Sequence, residues 1–168
     1  DGPGAGWEAF PNWSTDPAAT TPNPAAIPGA SDDVIFNIDP VDGPVTVGLN
    51  GAQSAQSLHF SNTGTTLLQG GGANRTLAIG AGGILVDASA GAATIGSTTA
   101  GQNVAVTLSA SQTWTNNSTG ALTIANPFTS AAGIGLTKAG TGDVAMTNTA
   151  NSTNIDGVLD VQAGRLPM

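Results

Sequence analysis

Few side chains in this sequence are equipped for chemistry, and their spacing is more telling than their number. His59 is the one histidine and there is no cysteine, which removes thiolate metal sites, cysteine nucleophiles and disulfide frameworks together. In "SLHFS", His59 alternates with Leu58 and Phe60, so a strand would turn it to the face opposite both, toward solvent. Asp32, Asp33, Asp39 and Asp42 lie close enough in sequence to surround a calcium ion with help from backbone carbonyls. Their Asp-Pro and Asp-Gly steps are ordinary turn formers. We read them as turns and expect no metal and no cofactor.

Glycoside chemistry would need two converging carboxylates. Asp87, Asp143, Asp156 and Asp160 are available, and Asp156 with Asp160, four apart around Gly157 and near Arg165, is the best-spaced pair. Exposed carboxylates at strand ends account for all four, so catalysis is not expected, and a polysaccharide-active enzyme stands only as an alternative. A carbohydrate-binding module is the other, because Trp7, Trp13 and Trp114 could stack on sugar rings. Against it, Trp114 falls in register with the apolar centres of the strands, and Trp7 and Trp13 suit a capping role.

Charge excludes further classes. Arg75, Lys138 and Arg165 stand against eleven acidic residues, for a net charge of −8. Such a chain offers nucleic acid no phosphate-neutralising surface and anionic lipid no attraction. No apolar run approaches the length that spans a bilayer. The chain opens on Asp1 rather than Met, as a processed terminus would, and a secreted or cell-surface location is expected.

The elements that must position these residues are legible in the pattern. At 168 residues the chain is the size of one domain. Residues 1–33 hold six of the ten prolines along with Trp7 and Trp13, and read as a loop-rich entry segment that caps the strands after it. From Val34 onward, stretches such as "DVIFNID", "VTVGL", "VAVTLS", "ALTIAN" and "GVLDVQAG" alternate apolar with small polar residues, the period of a strand. Gly, Thr, Ser and Asn interrupt every window long enough for a helix. The chain is therefore expected to be all-β.

One central apolar residue per strand, from Val47 through Leu58, Leu67, Leu77, Leu85, Ile95, Val106, Trp114, Ile124, Ile134 and Val144 to Ile155, recurs every 8 to 11 residues. That spacing suits a sandwich of hairpins or a solenoid in which two or three short strands make one coil. Asn50-Gly51 and Asp156-Gly157 are good two-residue hairpin turns. The other junctions are loose mixtures of Gly, Ala, Ser, Thr and Asn, which favours the solenoid.

"LTKAGTGDVAMTNTANSTNIDGVLDVQAGRL" resembles the autotransporter-associated β-strand repeat of passenger-like bacterial surface proteins. Leu136, Lys138, Gly140, Gly142, Val144, Met146, Asn151, Gly157, Val161, Gly164 and Leu166 match its pattern. Where that family has an aromatic and a Gly-Gly-Thr step, this chain has "NSTNIDGV". The resemblance implies a right-handed parallel β-helix displayed outside the cell, over residues 34–168 and continuing past them. In such a helix strands stack about 4.8 Å apart, inward Leu, Ile and Val form columns, and Gly and Asn take the bends. With roughly twenty to thirty residues per coil, about five or six coils result. The expected function is that of a structural or adhesive surface element. Its last coil, with Val161 and Leu166, is expected to associate head to tail with another copy into a filament, because an unpaired strand edge recruits a partner.

Overall fold

The computed structural model describes residues 6–16, 26–37, 44–148 and 155–168. In chain order the strands are β1 (Asp33–Phe36), β2 (Val45–Gly48), β3 (Gln53–Phe60), β4 (Thr66–Gln69), β5 (Arg75–Val86), β6 (Ala93–Ile95), β7 (Val104–Leu108), β8 (Gln112–Asn116), β9 (Leu122–Ile124), β10 (Phe128–Ser130), β11 (Leu136–Ala139), β12 (Val144–Met146) and β13 (Leu159–Val161). A single turn of 3-10 helix, Phe10–Asn12, precedes them.

Among the described residues every strand pairing is parallel, and none joins strands adjacent in sequence. That excludes the hairpin sandwich. One sheet runs β2-β4-β6-β9-β12 and the other β1-β3-β5-β8-β11-β13, with β7 and β10 stacked beside the first half of β5. The long strands β3 and β5 bend through two faces, because residues 53–55 and 57–60 of β3 pair with separate parts of β5 across a register shift. Each coil thus has three sides, and the chain makes a parallel β-helix of about five turns. Strands β11 and β12, joined by "GTGD", lie in different sheets and form successive sides of one coil. At the corner after β2, Asn50 adopts φ 57°, a left-handed bend that Asn tolerates better than most residues.

Alternation puts one residue in two inside, and parallel stacking turns those residues into columns. Val34, Leu58, Ile84, Trp114, Lys138 and Val161 follow one another in register. Val47, Leu68, Ile95, Ile124 and Met146 form a second column. Leu77, Val106 and Phe128 stack on the third side. Of the residues that mark the spacing in sequence, Ile134 and Ile155 fall outside the strands, and two more take outward positions within them. Leu67 shares its register with Thr46 and Thr94, and Leu85 with His59 and Thr115; both face outward because Leu68, Ile84 and Val86 hold the inward positions.

The N-terminal segment packs on the first coil. Gly6 bridges to Gly48 in parallel, and Trp7 N–H donates to the Gly48 carbonyl. At the other end Val144 N–H donates to Arg165 O and Met146 N–H to Pro167 O. The same offset joins Val45 N–H to Thr65 O, where Val45 is in register with Thr66. Leu166 therefore lies over Val144 and Met168 over Met146, which begins a further coil.

Candidate functional site

The residues with chemical potential are dispersed. His59 faces outward, and its Nε2 lies 2.9 Å from Asp87 Oδ2 at a partly exposed surface pair. Asp32 Oδ2 accepts the Gly29 N–H at 2.8 Å and Asp33 Oδ1 accepts the Ser57 hydroxyl, so both serve local turns and rungs. Asp39 and Asp42 lie outside the described residues. Among the described residues no three His, Cys, Asp or Glu side chains are grouped as a metal would require.

The sequence places Arg165 near Asp156 and Asp160, whereas the coil carries it elsewhere. Its Nε and Nη2 donate to the two carboxylate oxygens of Asp143. The 165–167 segment runs beside β12, and Asp143 immediately precedes that strand. Asp160 accepts from Gln162 Nε2 and is exposed, as is Asp156. An open groove on the outer face is lined by Gly82, Thr113, Thr137 and Asp160 among others, and among the described residues Asp160 is the one carboxylate in its lining. One carboxylate cannot supply the acid and base of glycoside hydrolysis.

Trp7 and Trp114 are fully buried, so neither offers a ring face to a sugar. Trp114 Nε1 donates to Gln112 Oε1 at 2.8 Å, which satisfies its N–H inside the column. Trp7 Nε1 donates to Pro28 O, and Trp13 Nε1 to Trp7 O at 2.7 Å. Trp7 and Trp13 meet edge to face with centroids 5.2 Å apart, and Trp13 stands 6.2 Å from Phe36, which stacks on Phe60 at 5.0 Å. The aromatic stack continues the column of β1 and β3 beyond the first coil.

The two ends of the solenoid differ in what covers them. The inward residues of β1, Val34 and Phe36, are 2% and 4% exposed. Those of β13 are Leu159 at 37% and Val161 at 45%, and Val158 just before them is 75% exposed. β13 pairs only with β11 among the described residues. Leu166 is half-buried against the core. The C-terminal rung thus presents an apolar cross-section and a strand edge.

Beneath that rung lies the most unusual side chain in the molecule. Lys138 is completely buried, and Nζ donates to the carbonyls of Ala139 at 2.6 Å, Gly140 at 2.7 Å and Ala163 at 2.9 Å. Gly140 and Gly164 adopt φ 74° and 68°, and an added Cβ on Gly164 would stand 2.8 Å from Nζ. Burial lowers the lysine pKa from the ordinary 10.5, while the negative charge of Asp143 works against that shift. Three donated bonds need three N–H protons, so the bonded species is the ammonium. Asp143 is held below its ordinary 3.8, chiefly by the hydrogen bond from Arg165.

In the sequence, Lys138 stands out only as a motif letter and Asn116 does not stand out. A signal for the lysine was present, since Leu136 and Lys138 are two apart in one strand and must share its inward face. Asn116 is fully buried; its amide donates to Gly120 O and Asp143 O, and its oxygen accepts from Ser118 N–H. No family model, curated protein or solved structure matches this chain.

Proposed function

We propose that the chain is a non-enzymatic structural or adhesive element of a secreted or cell-surface protein, a β-solenoid that works by stacking a further coil on its C-terminal rung. The observation that carries this reading is the contrast between the two ends: Val34 and Phe36 are covered, while Leu159 and Val161 are open. A stacked coil would pair the free edge of β13 and bury its column residues in one step, which satisfies backbone groups and apolar surface together. The extracellular setting rests on the repeat resemblance of residues 136–166.

Identical chains would associate head to tail, and a contact of that kind does not close on itself. The rung 159–161 of one copy would then seat against the β1 edge of the next, where Trp7 and Trp13 now pack on Phe36. The tryptophan cap limits that growth. Sedimentation velocity at rising concentration tests the proposal. Association that disappears in Val161→Lys supports it, and a wild-type chain that stays monomeric throughout overturns stacking between copies.

A further inference from the structure

We propose that Lys138 is the positioning residue of this contact surface: its buried ammonium, rather than apolar packing, holds the rung 159–161 in register. The inference rests on the stacking reading for its functional meaning, though its structural half stands alone. In every preceding coil the same column position is apolar, from Val34 to Leu58, Ile84 and Trp114. Each of those residues is no more than 2% exposed, and apolar burial of that completeness fixes a coil without polar help. Above Lys138 the column passes to Val161, 45% exposed, in a strand of three residues that are all exposed. Packing there is too sparse to set the register.

The ammonium supplies what packing does not. Two of its acceptors lie where β11 ends, Ala139 O on its last residue and Gly140 O on the corner that follows, and the third, Ala163 O, belongs to the equivalent corner after β13. One cation therefore ties the same corner of two successive coils. Left-handed backbone at Gly140 and Gly164 marks these corners, and Gly164 has no Cβ to stand in the way of Nζ. Charge-assisted bonds of this kind are stronger than neutral ones, and their donor cannot be replaced by water while the site stays closed.

Hydrogen exchange on the full chain, read segment by segment and paired with sedimentation velocity, tests the proposal with two variants. Lys138→Met keeps the length of the stem and removes the donors. Gly164→Ala acts from the final coil, by placing a methyl against the Gly142 and Gly140 carbonyls as well as Nζ in strained backbone, so it leaves the earlier coils free to fold and shows what loss of that corner does to the rung. Both should reduce protection over residues 157–168 by about tenfold to a hundredfold, leave residues 53–60 and 84–86 protected, and abolish association. Wild-type protection of 157–168 in Lys138→Met overturns the proposal, as does association at wild-type strength in a variant whose final coil has lost protection. If Lys138→Met fails to fold, Lys138→Leu, which places at this column position the residue type of Leu58, decides in its place. A wild-type chain that never associates defeats the stacking reading, while the exchange data still judge what Lys138 does to the rung.

Discussion

Lys138 sits directly in register with Trp114 in one inward column, so a fully buried lysine follows a fully buried tryptophan from one coil to the next. The column tolerates this because the cation is spent on three carbonyls, and a buried charge is stable only when its hydrogen bonds are complete. It also divides the solenoid into two regimes. Coils below Lys138 are held by apolar columns, and the coil above it by polar ties.

The open rung is tested by Val161→Lys. Val161 is in register with Lys138, and a second ammonium there would stand over the first with fewer carbonyls to receive it. We expect the variant to stay folded through β11 and to lose concentration-dependent association. Sedimentation velocity on both chains reads the difference, and equal profiles would remove Val161 from the contact surface.

The opposite end is tested by Trp7→Ala. Trp7 is fully buried and touches both Trp13 and Phe36, so truncation should cost about 3–5 kcal/mol. Urea unfolding measures the loss. Deleting residues 1–30 should go further, uncovering Phe36 and promoting head-to-tail growth, visible as light scattering that rises with concentration. A truncated chain as soluble and stable as the parent would show that the tryptophans do not cap the first coil.

Much of the architecture could be read directly from the residues, because alternation and even spacing are local signals and a parallel coil repeats them. The phase was less legible. In "TLLQ" and "GILVDAS" adjacent apolar residues compete for the inward position, and spacing alone does not say whether Leu67 or Leu68 wins; contact with Ile95 in the column decides it. The grouping of Arg165 with Asp143 was hidden for another reason. They are 22 apart in sequence and meet only because one coil takes about that many residues. Asn116 and Asn117 are identical letters side by side, yet one is buried and the other exposed.

Those two asparagines should respond differently to truncation. Asn116→Ala leaves Gly120 O and Ser118 N–H without the partner they now have, while Asp143 O keeps the Leu122 N–H, and each buried group stranded costs about 1–3 kcal/mol. Asn117→Ala removes an exposed side chain and should stay within about 0.5 kcal/mol of the parent. Thermal unfolding of the two variants, which differ by one position, checks whether the corner depends on that buried amide.

Glycan recognition through the indoles is also open to test. With Trp7 and Trp114 fully buried, added glycans should leave the fluorescence of both unchanged, and Trp13→Phe isolates them from the half-buried third ring. Quenching in that variant would mean that sugars reach a ring that the fold encloses, and would favour a binding module over a stacking element.

The final coil should respond to acid before the rest. Arg165 holds the Asp143 carboxyl below its ordinary 3.8, so the unfolded chain binds a proton at higher pH than the folded one. The contribution is therefore fully present above 3.8 and fades as pH falls through that value toward the lower folded pKa. Arg165 is 79% exposed in its side chain, which makes the effect local and weakened by salt rather than global. Its reporters are the Val144 and Met146 amides, which donate to Arg165 O and Pro167 O. We expect their exchange, corrected for intrinsic rate, to speed up on acidification while amides of β3 and β5 hold. Arg165→Gln should already show fast exchange at neutral pH and little further change in acid, and a parent-like acid response in that variant would assign the sensitivity to a different carboxylate.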